Sequence, residues 1–271
     1  MKRTKKQVCG ITGSSGTLGS KIIKSKAFSF IKYKGDVTNR KQLENWVSKY
    51  KFDLFIHLAA IVPVKKVKNN FNLAKQVNIL GTKNLVNSLI KHQINLKWFF
   101  FSSTSHVYNF DKKKISERKR LDPISKYGKT KQYAENYIIK KFNSSKINFC
   151  IGRIFSFFSH NQPLDYLVPV LIKKLSNKRS NKIILKDLNH YRDFIKIVKI
   201  IKIIEFLYRK KFNGIINIGS GKKTYLKKIV KKLNKYNVKV EFKDGRKMNT
   251  LVADISKLRR LGYKDKNLSP F

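Results

Sequence analysis

Tyr127 and Lys131 stand four residues apart in Tyr127-Gly128-Lys129-Thr130-Lys131, a spacing that puts both side chains on one face of a helix. An ammonium beside a phenol favours the phenolate and lowers the phenol pKa, which makes a tyrosine usable as acid or base near neutrality. The spacing alone selects nothing. With 12 Tyr in so lysine-rich a chain, chance supplies about two to three such pairs, and Tyr108/Lys112 and Tyr137/Lys141 share the pattern. Context separates them. The apolar run Trp98-Phe99-Phe100-Phe101 ends in the hydroxyls of Ser102, Ser103 and Thr104, as a buried strand does at the sheet edge where ligands gather. A hydroxyl there can hydrogen-bond the substrate oxygen that Tyr127 protonates. Tyr108 lies too near that strand end to begin a long helix, and Tyr137 falls in the middle of one.

A second constellation lies near the start. Gly13, Gly16 and Gly19 form G-x-x-G-x-x-G between an apolar run at residues 8–12 and a helical stripe at residues 17–26. Such a loop makes a tight turn, brings backbone close to a pyrophosphate and lets helix pack on strand, while the helix N-terminus offers unpaired N–H groups to the phosphates. With 13 Gly in the chain, three at fixed positions arise by chance in about one chain in thirty. The end of the second strand, Ile31-Lys32-Tyr33-Lys34, lacks the acid that accepts from a ribose 2′-OH. Its lysines suit a 2′-phosphate, which favours NADP over NAD.

The elements that must position these groups alternate along the chain. Strands are expected at residues 8–12, 29–33, 54–58, 97–101 and 147–154. Helices are expected at 17–26, 40–50 and 125–142, with another whose apolar stripe runs Leu73, Val77, Leu80, Leu85 and Leu89. Strand and helix in turn imply an α/β fold, a Rossmann-type doubly wound parallel sheet with helices on both faces. After Arg153 the rhythm breaks at Pro163 and Pro169. Short strands then follow at 183–185, 214–218 and 238–242, with helices at 195–208, 226–233 and 255–261. The expected division is an NAD(P)-binding domain from residues 1–155 plus about 191–219, and a smaller substrate lobe from about 156–190 plus 220–271. That lobe should close over the carboxyl edge of the sheet.

Composition bounds the rest. The chain has 271 residues and a formal net charge of +47, with lysines spread over every segment rather than gathered in one patch. A nucleic-acid binder concentrates its charge, so nucleic acid is not the expected partner, although so positive a field attracts phosphorylated ligands. Cys9 and Cys150 fall in apolar runs and read as buried free thiols, which suits a reducing, cytoplasmic setting. The charged start at residues 1–6 is followed by a stretch too short and glycine-rich for an export signal, and no run is long enough to cross a bilayer. No metal-ligand set is read.

Taken in order, these motifs resemble the extended short-chain dehydrogenase/reductases, the NAD-dependent epimerase/dehydratase family, over nearly the whole chain. Thr12-Gly13-Ser14-Ser15-Gly16-Thr17-Leu18-Gly19 is similar to the family's cofactor loop, and Gly35-Asp36-Val37-Thr38 to its adenine-contacting segment. His57-Leu58-Ala59-Ala60 resembles the strand end beside the cofactor, with His57 as wall, and Val77-Asn78-Ile79-Leu80-Gly81-Thr82 resembles the V-N-x-x-G-T helix. By that likeness Gly13, Ser15, Gly16, Thr17, Leu18, Gly19, Asp36, Val37, Leu58, Ala59, Ala60, Asn78, Tyr127 and Lys131 would hold the cofactor. Phe101 to Tyr108 is similar to F-S-S-S/T-x-x-V-Y, which puts the catalytic hydroxyl on Thr104 beside Tyr127 and Lys131. Tyr191-Arg192-Asp193-Phe194-Ile195 resembles R-D-F-I, whose arginine reaches nucleotide phosphates. Asn217-Ile218-Gly219-Ser220-Gly221 and Ala253-Asp254-Ile255-Ser256-Lys257 echo C-terminal landmarks.

The resemblance implies a nucleotide-sugar substrate, hydride transfer at the sugar C4, and a homodimer paired through helices at residues 73–91 and 125–142. Ser103, His106 and Arg192 are expected at the substrate. His106 can be read as a third acid/base or as a structural group. Ser105 and His106 stand where dehydratases carry an Asp-Glu pair, which points to a 4-keto reductase or 4-epimerase rather than a dehydratase. A short second strand and short chain look more like dTDP-4-dehydrorhamnose reductases than UDP-galactose 4-epimerases. The rival reading is a non-catalytic NAD(P)-sensing or RNA-binding protein on the same fold.

Overall fold

A computed structural model of the chain describes residues 6–62, 64–159, 162–176, 182–245 and 247–270. Most of the charged start, residues 1–5, lies outside them. The first half runs β1 (Val8–Thr12), α1 (Thr17–Lys24), β2 (Ser29–Lys32), α2 (Arg40–Lys49), β3 (Leu54–His57), α3 (Val64–Asn69) and α4 (Phe71–Lys75). A π-helical turn at Gln76–Gly81 leads to α5 (Thr82–His92), β4 (Trp98–Thr104), α6 (Lys126–Phe142) and β5 (Asn148–Ile154). Next come β6 (Ser156–Phe158), α7 (Leu167–Leu175), β7 (Lys182–Lys186), β8 (His190–Arg192), β9 (Phe194–Lys196), α8 (Ile197–Arg209) and β10 (Gly214–Ile218). The chain ends with β11 (Thr224–Tyr225), α9 (Leu226–Leu233), β12 (Lys239–Lys243), β13 (Asn249–Leu251) and α10 (Ser256–Arg260).

The doubly wound parallel sheet expected from the alternation forms, in the order β10-β5-β4-β3-β1-β2. From β1 the chain steps outward to β2 and then crosses back to β3, so the winding reverses between β1 and β3. The glycine turn leaves β1 and Leu58-Ala59-Ala60 leaves β3 at the same edge. A crevice opens at such a switch point.

Side-chain alternation sorts the strands into two layers. Trp98, Phe100, Ile11 and Ile56 pack with Ile22 of α1 and Ile200 and Ile204 of α8, while Phe99, Phe101, Phe55 and Ile151 pack with Leu43 of α2, Leu85 of α5 and Ile138 of α6. The four aromatic residues that open β4 are all buried, each ring contributing roughly 1.5–3 kcal/mol. That burial holds the strand-end hydroxyls on a stiff support.

Three small sheets, β11-β8-β13, β7-β12 and β6-β9, build the rest. Asp193 stitches their loops together, accepting from Ser220 N (2.8 Å) and Oγ (2.6 Å), Gly221 N (2.8 Å) and Ala253 N (3.2 Å). Because β8 pairs with β11 and β13, Tyr191 and Arg192 sit in this smaller sheet. The sequence boundary at residue 191 had put them with the large domain.

One helix differs from expectation. The stripe Leu73, Val77, Leu80 does not continue straight into Leu85 and Leu89, because the π turn carries an extra residue and rotates the face by about 100°. Leu73 and Leu80 are therefore 44% and 47% exposed, while Ala74, Asn78 and Gly81 turn inward.

Candidate active site

At its first and third positions the glycine turn is built so that only glycine fits. Gly13 has φ +68°, and a Cβ on it would lie 2.6 Å from Ala59 N. A Cβ on Gly19 would lie 2.2 Å from the Gly13 carbonyl oxygen. Gly16 caps α1 with no side-chain bond to the first turn, so the amides there are left for a ligand. Ser15 and Gly16 are exposed, whereas the Leu18 side chain is buried in the core, so Leu18 could serve a cofactor only through its backbone.

A cleft of about 650 Å³ runs from this turn past Lys24, Lys32, Lys34, Asp36, Val37 and Ala59. Its phosphate-sized cradle at the helix terminus and its length along the sheet edge fit a dinucleotide. Asp36 is exposed and its carboxylate accepts from Thr38 N at 2.8 Å, an Asx turn that shapes the loop. Lys24 was not read from the sequence, because it joins the cleft only by the geometry of α1.

His57, Thr12 and Thr82 form a directional chain. The Thr82 hydroxyl donates to Asn78 O (2.8 Å) and so accepts from His57 Nε2 (2.9 Å), which leaves Nδ1 to accept from the Thr12 hydroxyl at 2.6 Å. The fully buried imidazole is neutral, its pKa pushed down to about 3 by desolvation and by Lys131. An unfolded histidine takes up a proton below about pH 6.5 that this one refuses, so stability is full above that pH and is lost as pH falls toward about 3. From pH 6.5 to 5 the expected loss is about 2 kcal/mol, readable as a falling denaturant midpoint. A flat midpoint over that range would refute the buried neutral assignment.

Asn78, expected at the cofactor, is instead a staple. It is 1% exposed; its Oδ1 accepts from Ile61 N (2.7 Å), and its Nδ2 donates to Ile61 O (3.2 Å) and Thr130 Oγ1 (3.0 Å). Thr130 in turn donates to Tyr127 O at 2.8 Å. Asn78 thus ties the loop after β3 to the first turn of the helix that carries Tyr127.

At the end of β4 the Thr104 hydroxyl stands beside the Tyr127 phenol, close enough to lower its pKa, and accepts from His106 N at 3.2 Å. Ser125 caps α6, accepting from Gly128 N at 3.0 Å, and its hydroxyl lies 3.1 Å from His106 Nδ1. The His106 and Tyr127 rings meet edge to face at 6.1 Å. Burial raises the phenol pKa, helped by Tyr166, and outweighs the lowering by Thr104. The lowering expected from Lys131 is not what the arrangement produces. The Lys131 ammonium donates to Ser102 O at 2.8 Å and sits 4.5 Å above the Phe101 ring, with its own pKa pushed down to about 7 by burial.

Ser103 does not reach the crevice. It is 3% exposed and its hydroxyl donates to the Glu135 carboxylate. Glu135 is itself fully buried and ion-paired with Arg153 at 2.6 Å. His106 does stand at the crevice, neutral, its pKa pushed down to about 4 by burial and by Arg192. Arg192 reaches across from β8, donating to Asn249 Oδ1 (2.6 Å) and Tyr191 O (2.8 Å). Tyr166, at the start of α7, was missed because α7 carries no clear start signal, yet the fold sets its phenol near that of Tyr127. Beside it, Asp165 pairs with Lys66 of α3 at 3.4 Å.

Among the described residues no helix is long and apolar enough to cross a membrane. A family model described as GDP-mannose 4,6 dehydratase matches residues 8–267. An uncharacterised UDP-glucose epimerase of Bacillus subtilis (strain 168) is 30% identical over 253 residues, covering 90% of this chain and 77% of that protein. A GDP-6-deoxy-D-talose 4-dehydrogenase of Aggregatibacter actinomycetemcomitans is 28% identical over 221 residues, covering 78% and 74%. Among solved structures, RMD from Pseudomonas aeruginosa complexed with NADPH superposes with a TM-score of 0.85 at 18% identity, covering 94% of this chain and 92% of that one.

Proposed function

Given that the chain belongs to the NAD-dependent nucleotide-sugar epimerases and dehydratases of the extended short-chain dehydrogenase/reductase type, we propose that it acts at C4 of a nucleotide-activated sugar, as a 4-keto reductase or a 4-epimerase. The observation that carries this reading is the Thr104 hydroxyl set beside the Tyr127 phenol at the carboxyl end of β4, next to the strand whose end lines the glycine-turn cleft.

A nicotinamide bound in the cleft supplies the hydride chemistry. Tyr127 gives a proton to the C4 oxygen as it gains charge, or takes one from the C4 hydroxyl in the reverse sense. Thr104 hydrogen-bonds the same oxygen and fixes its distance from the phenol. Lys131, one helical turn on from Tyr127, is placed to hold the cofactor ribose, and Arg192 holds the substrate diphosphate. Where water elimination calls for a pair of acids after Thr104, the chain has Ser105 and neutral His106, which supports reduction or epimerisation over dehydration. The same convergence of phenol, hydroxyl and ammonium weighs against a non-catalytic RNA-binding scaffold.

The test is incubation of UDP-, GDP- and dTDP-linked 4-keto and 4-hydroxy sugars with NADPH or NADH. Stoichiometric loss of reduced cofactor identifies a reductase, and exchange of 4-epimers without net loss identifies an epimerase. No conversion across the panel overturns the reading.

Lys24, Lys32 and Lys34 at the cleft, with no acid at the end of β2, support NADP as the preferred dinucleotide. The expected kcat/KM ratio of NADPH to NADH is about tenfold, falling toward one in a Lys32→Ala/Lys34→Ala double variant. A clear NADH preference removes the assignment. Leu73, Leu80 and Tyr133 expose apolar surface on α4, the π turn and α6, which supports a homodimer formed over that face. Leu80→Glu should then sediment as a monomer while the parent chain sediments as a dimer. With both cysteines buried as free thiols, we place the enzyme in the cytoplasm.

A further inference from the structure

Three successive residues at the end of β4 each meet a different turn of α6. The Thr104 hydroxyl stands beside the Tyr127 phenol, the Ser102 carbonyl accepts from Lys131 at 2.8 Å, and the Ser103 hydroxyl donates to Glu135. Tyr127, Lys131 and Glu135 are spaced by four, so they share one face of the helix. The strand can answer all three because it outruns its neighbour. The pairing of β3 with β4 stops at His57 and Phe101, whereas β4 continues to Thr104. Ser103, like Phe99 and Phe101, lies on the α6 side by alternation.

Of the three links, only the one at Ser103 and Glu135 touches no reacting group. It is also the one anchored most deeply. Glu135 is fully buried and accepts from Arg153 Nη2 at 2.6 Å and from Arg153 Nε at 3.1 Å to each carboxylate oxygen. Arg153 Nη1 donates to the Tyr108 hydroxyl at 2.8 Å, which donates to Asn217 Oδ1 at 2.8 Å. The Asn217 amides are taken up by Ile115 O through Nδ2 and by Glu117 through the backbone N–H, both at 2.8 Å. The helix turn at Glu135 is therefore fastened to β4, β5 and β10 at once.

We propose that Ser103 and Glu135 are positioning residues of the proton-transfer site: their bond sets the register of α6 along β4 and so brings Tyr127 to Thr104 and Lys131 to Ser102. The proposal rests on the function proposed above, and it deepens that reading by two residues that meet neither substrate nor cofactor. The Glu135 carboxylate also favours the charged form of Lys131, one turn away, against the cost of burial.

Ser103→Ala cuts the helix-to-strand link but keeps the Glu135–Arg153 pair. It is expected to lower kcat about tenfold, with KM and the NADPH Kd within about twofold and an unchanged circular dichroism spectrum, because a small misplacement at the reacting atoms acts on the transition state. Ser103→Thr, which restores a hydroxyl, should recover most of the turnover; a purely structural role would lower the thermal midpoint without touching kcat. A second readout needs no substrate. In protein labelled at the lysine side-chain nitrogens, the Lys131 resonance is expected to titrate near 7 and is assigned by its loss in Lys131→Arg. In Glu135→Gln that midpoint should fall by about one pH unit.

Unchanged kcat in Ser103→Ala overturns the proposal whether or not Glu135→Gln folds. Should no nucleotide sugar be turned over by the parent chain, the function proposed above fails by itself. An unmoved Lys131 midpoint in Glu135→Gln, or an α6 that keeps its place on β4 in a crystal structure of Ser103→Ala, then overturns the clamp.

Discussion

Tyr127→Phe is expected to lower kcat by about a thousandfold while NADPH binds within about twofold of the parent chain. The substitution removes one oxygen and leaves the ring, so the edge-to-face contact with His106 and the start of α6 persist. Among the described residues neither His106 nor Tyr166 is set to take over. His106 is held neutral with its pKa near 4, and its Nδ1 is engaged with Ser125. Tyr166 is a phenol whose pKa burial raises further, and no hydroxyl partner at a strand end is found for it among the described residues. Thr104 keeps its bond from His106 N, so it stays in place to orient substrate but is too weak an acid to supply the proton itself at neutral pH. The measurement is steady-state turnover beside a fluorescence titration of NADPH. Turnover within about tenfold of the parent chain would remove Tyr127 from the chemistry, since acid–base groups are worth about a hundredfold or more.

Gly19→Ala is expected to weaken dinucleotide binding by about a hundredfold, close to 2.7 kcal/mol. The added methyl would sit 2.2 Å from the Gly13 carbonyl oxygen and 2.9 Å from Ser14 Cα. These are backbone atoms, which have no rotamer to change, so the turn between β1 and α1 has to open. An opened turn withdraws the first-turn amides of α1 from the phosphates, the contact that the cradle exists to make. Gly16→Ala is the control, because a Cβ there meets only the Gly13 carbonyl oxygen, at an ordinary 3.4 Å. Its own effect reports how closely the phosphates approach. Calorimetric titration of both variants with NADPH checks the pair, and equal affinities for Gly19→Ala and the parent chain would show that the turn is not the phosphate site.

Much of the molecule could be read before any coordinates. The six strands of the main sheet all fall where apolar runs placed them, most plainly the central β1, β3, β4 and β5, because a strand buried on both faces must be apolar throughout. Strand β10 and helix α9 match the expected residues end to end. The helices with the plainest stripes, α6 and α8, match within two residues or so. What escaped was short and locally ambiguous. Helix α3 reads Val64-Lys65-Lys66-Val67-Lys68-Asn69, with only Val67 buried, and α7 begins at Leu167 without a polar cap. Strands β8, β11 and β13 are two or three residues each, too short for a period-two pattern to declare itself.

The site divides the same way. Glycine positions 13 and 19, the strand-end hydroxyls and the Tyr127/Lys131 spacing are local properties of the chain. Backbone sterics and helix periodicity constrain them wherever the chain is written down. The roles of Asn78 and Ser103 are not local. Each has the residue type of a ligand-binding group, and each spends its hydrogen bonds inside the protein, on Ile61 and Thr130 in one case and on Glu135 in the other. Glu135, Tyr166 and Lys24 had no motif to announce them, because what they do depends on neighbours carried by other elements of the fold.

From the residues themselves came the alternating α/β architecture, the glycine turn and the shared helix face of Tyr127 and Lys131, since each is enforced by contacts within a few positions. Which polar groups face the crevice, which are buried as staples, and how Lys131 is charged were decided only when α6 packed against β4. Burial and hydrogen-bond partners are set by that docking, and no stretch of chain carries them alone.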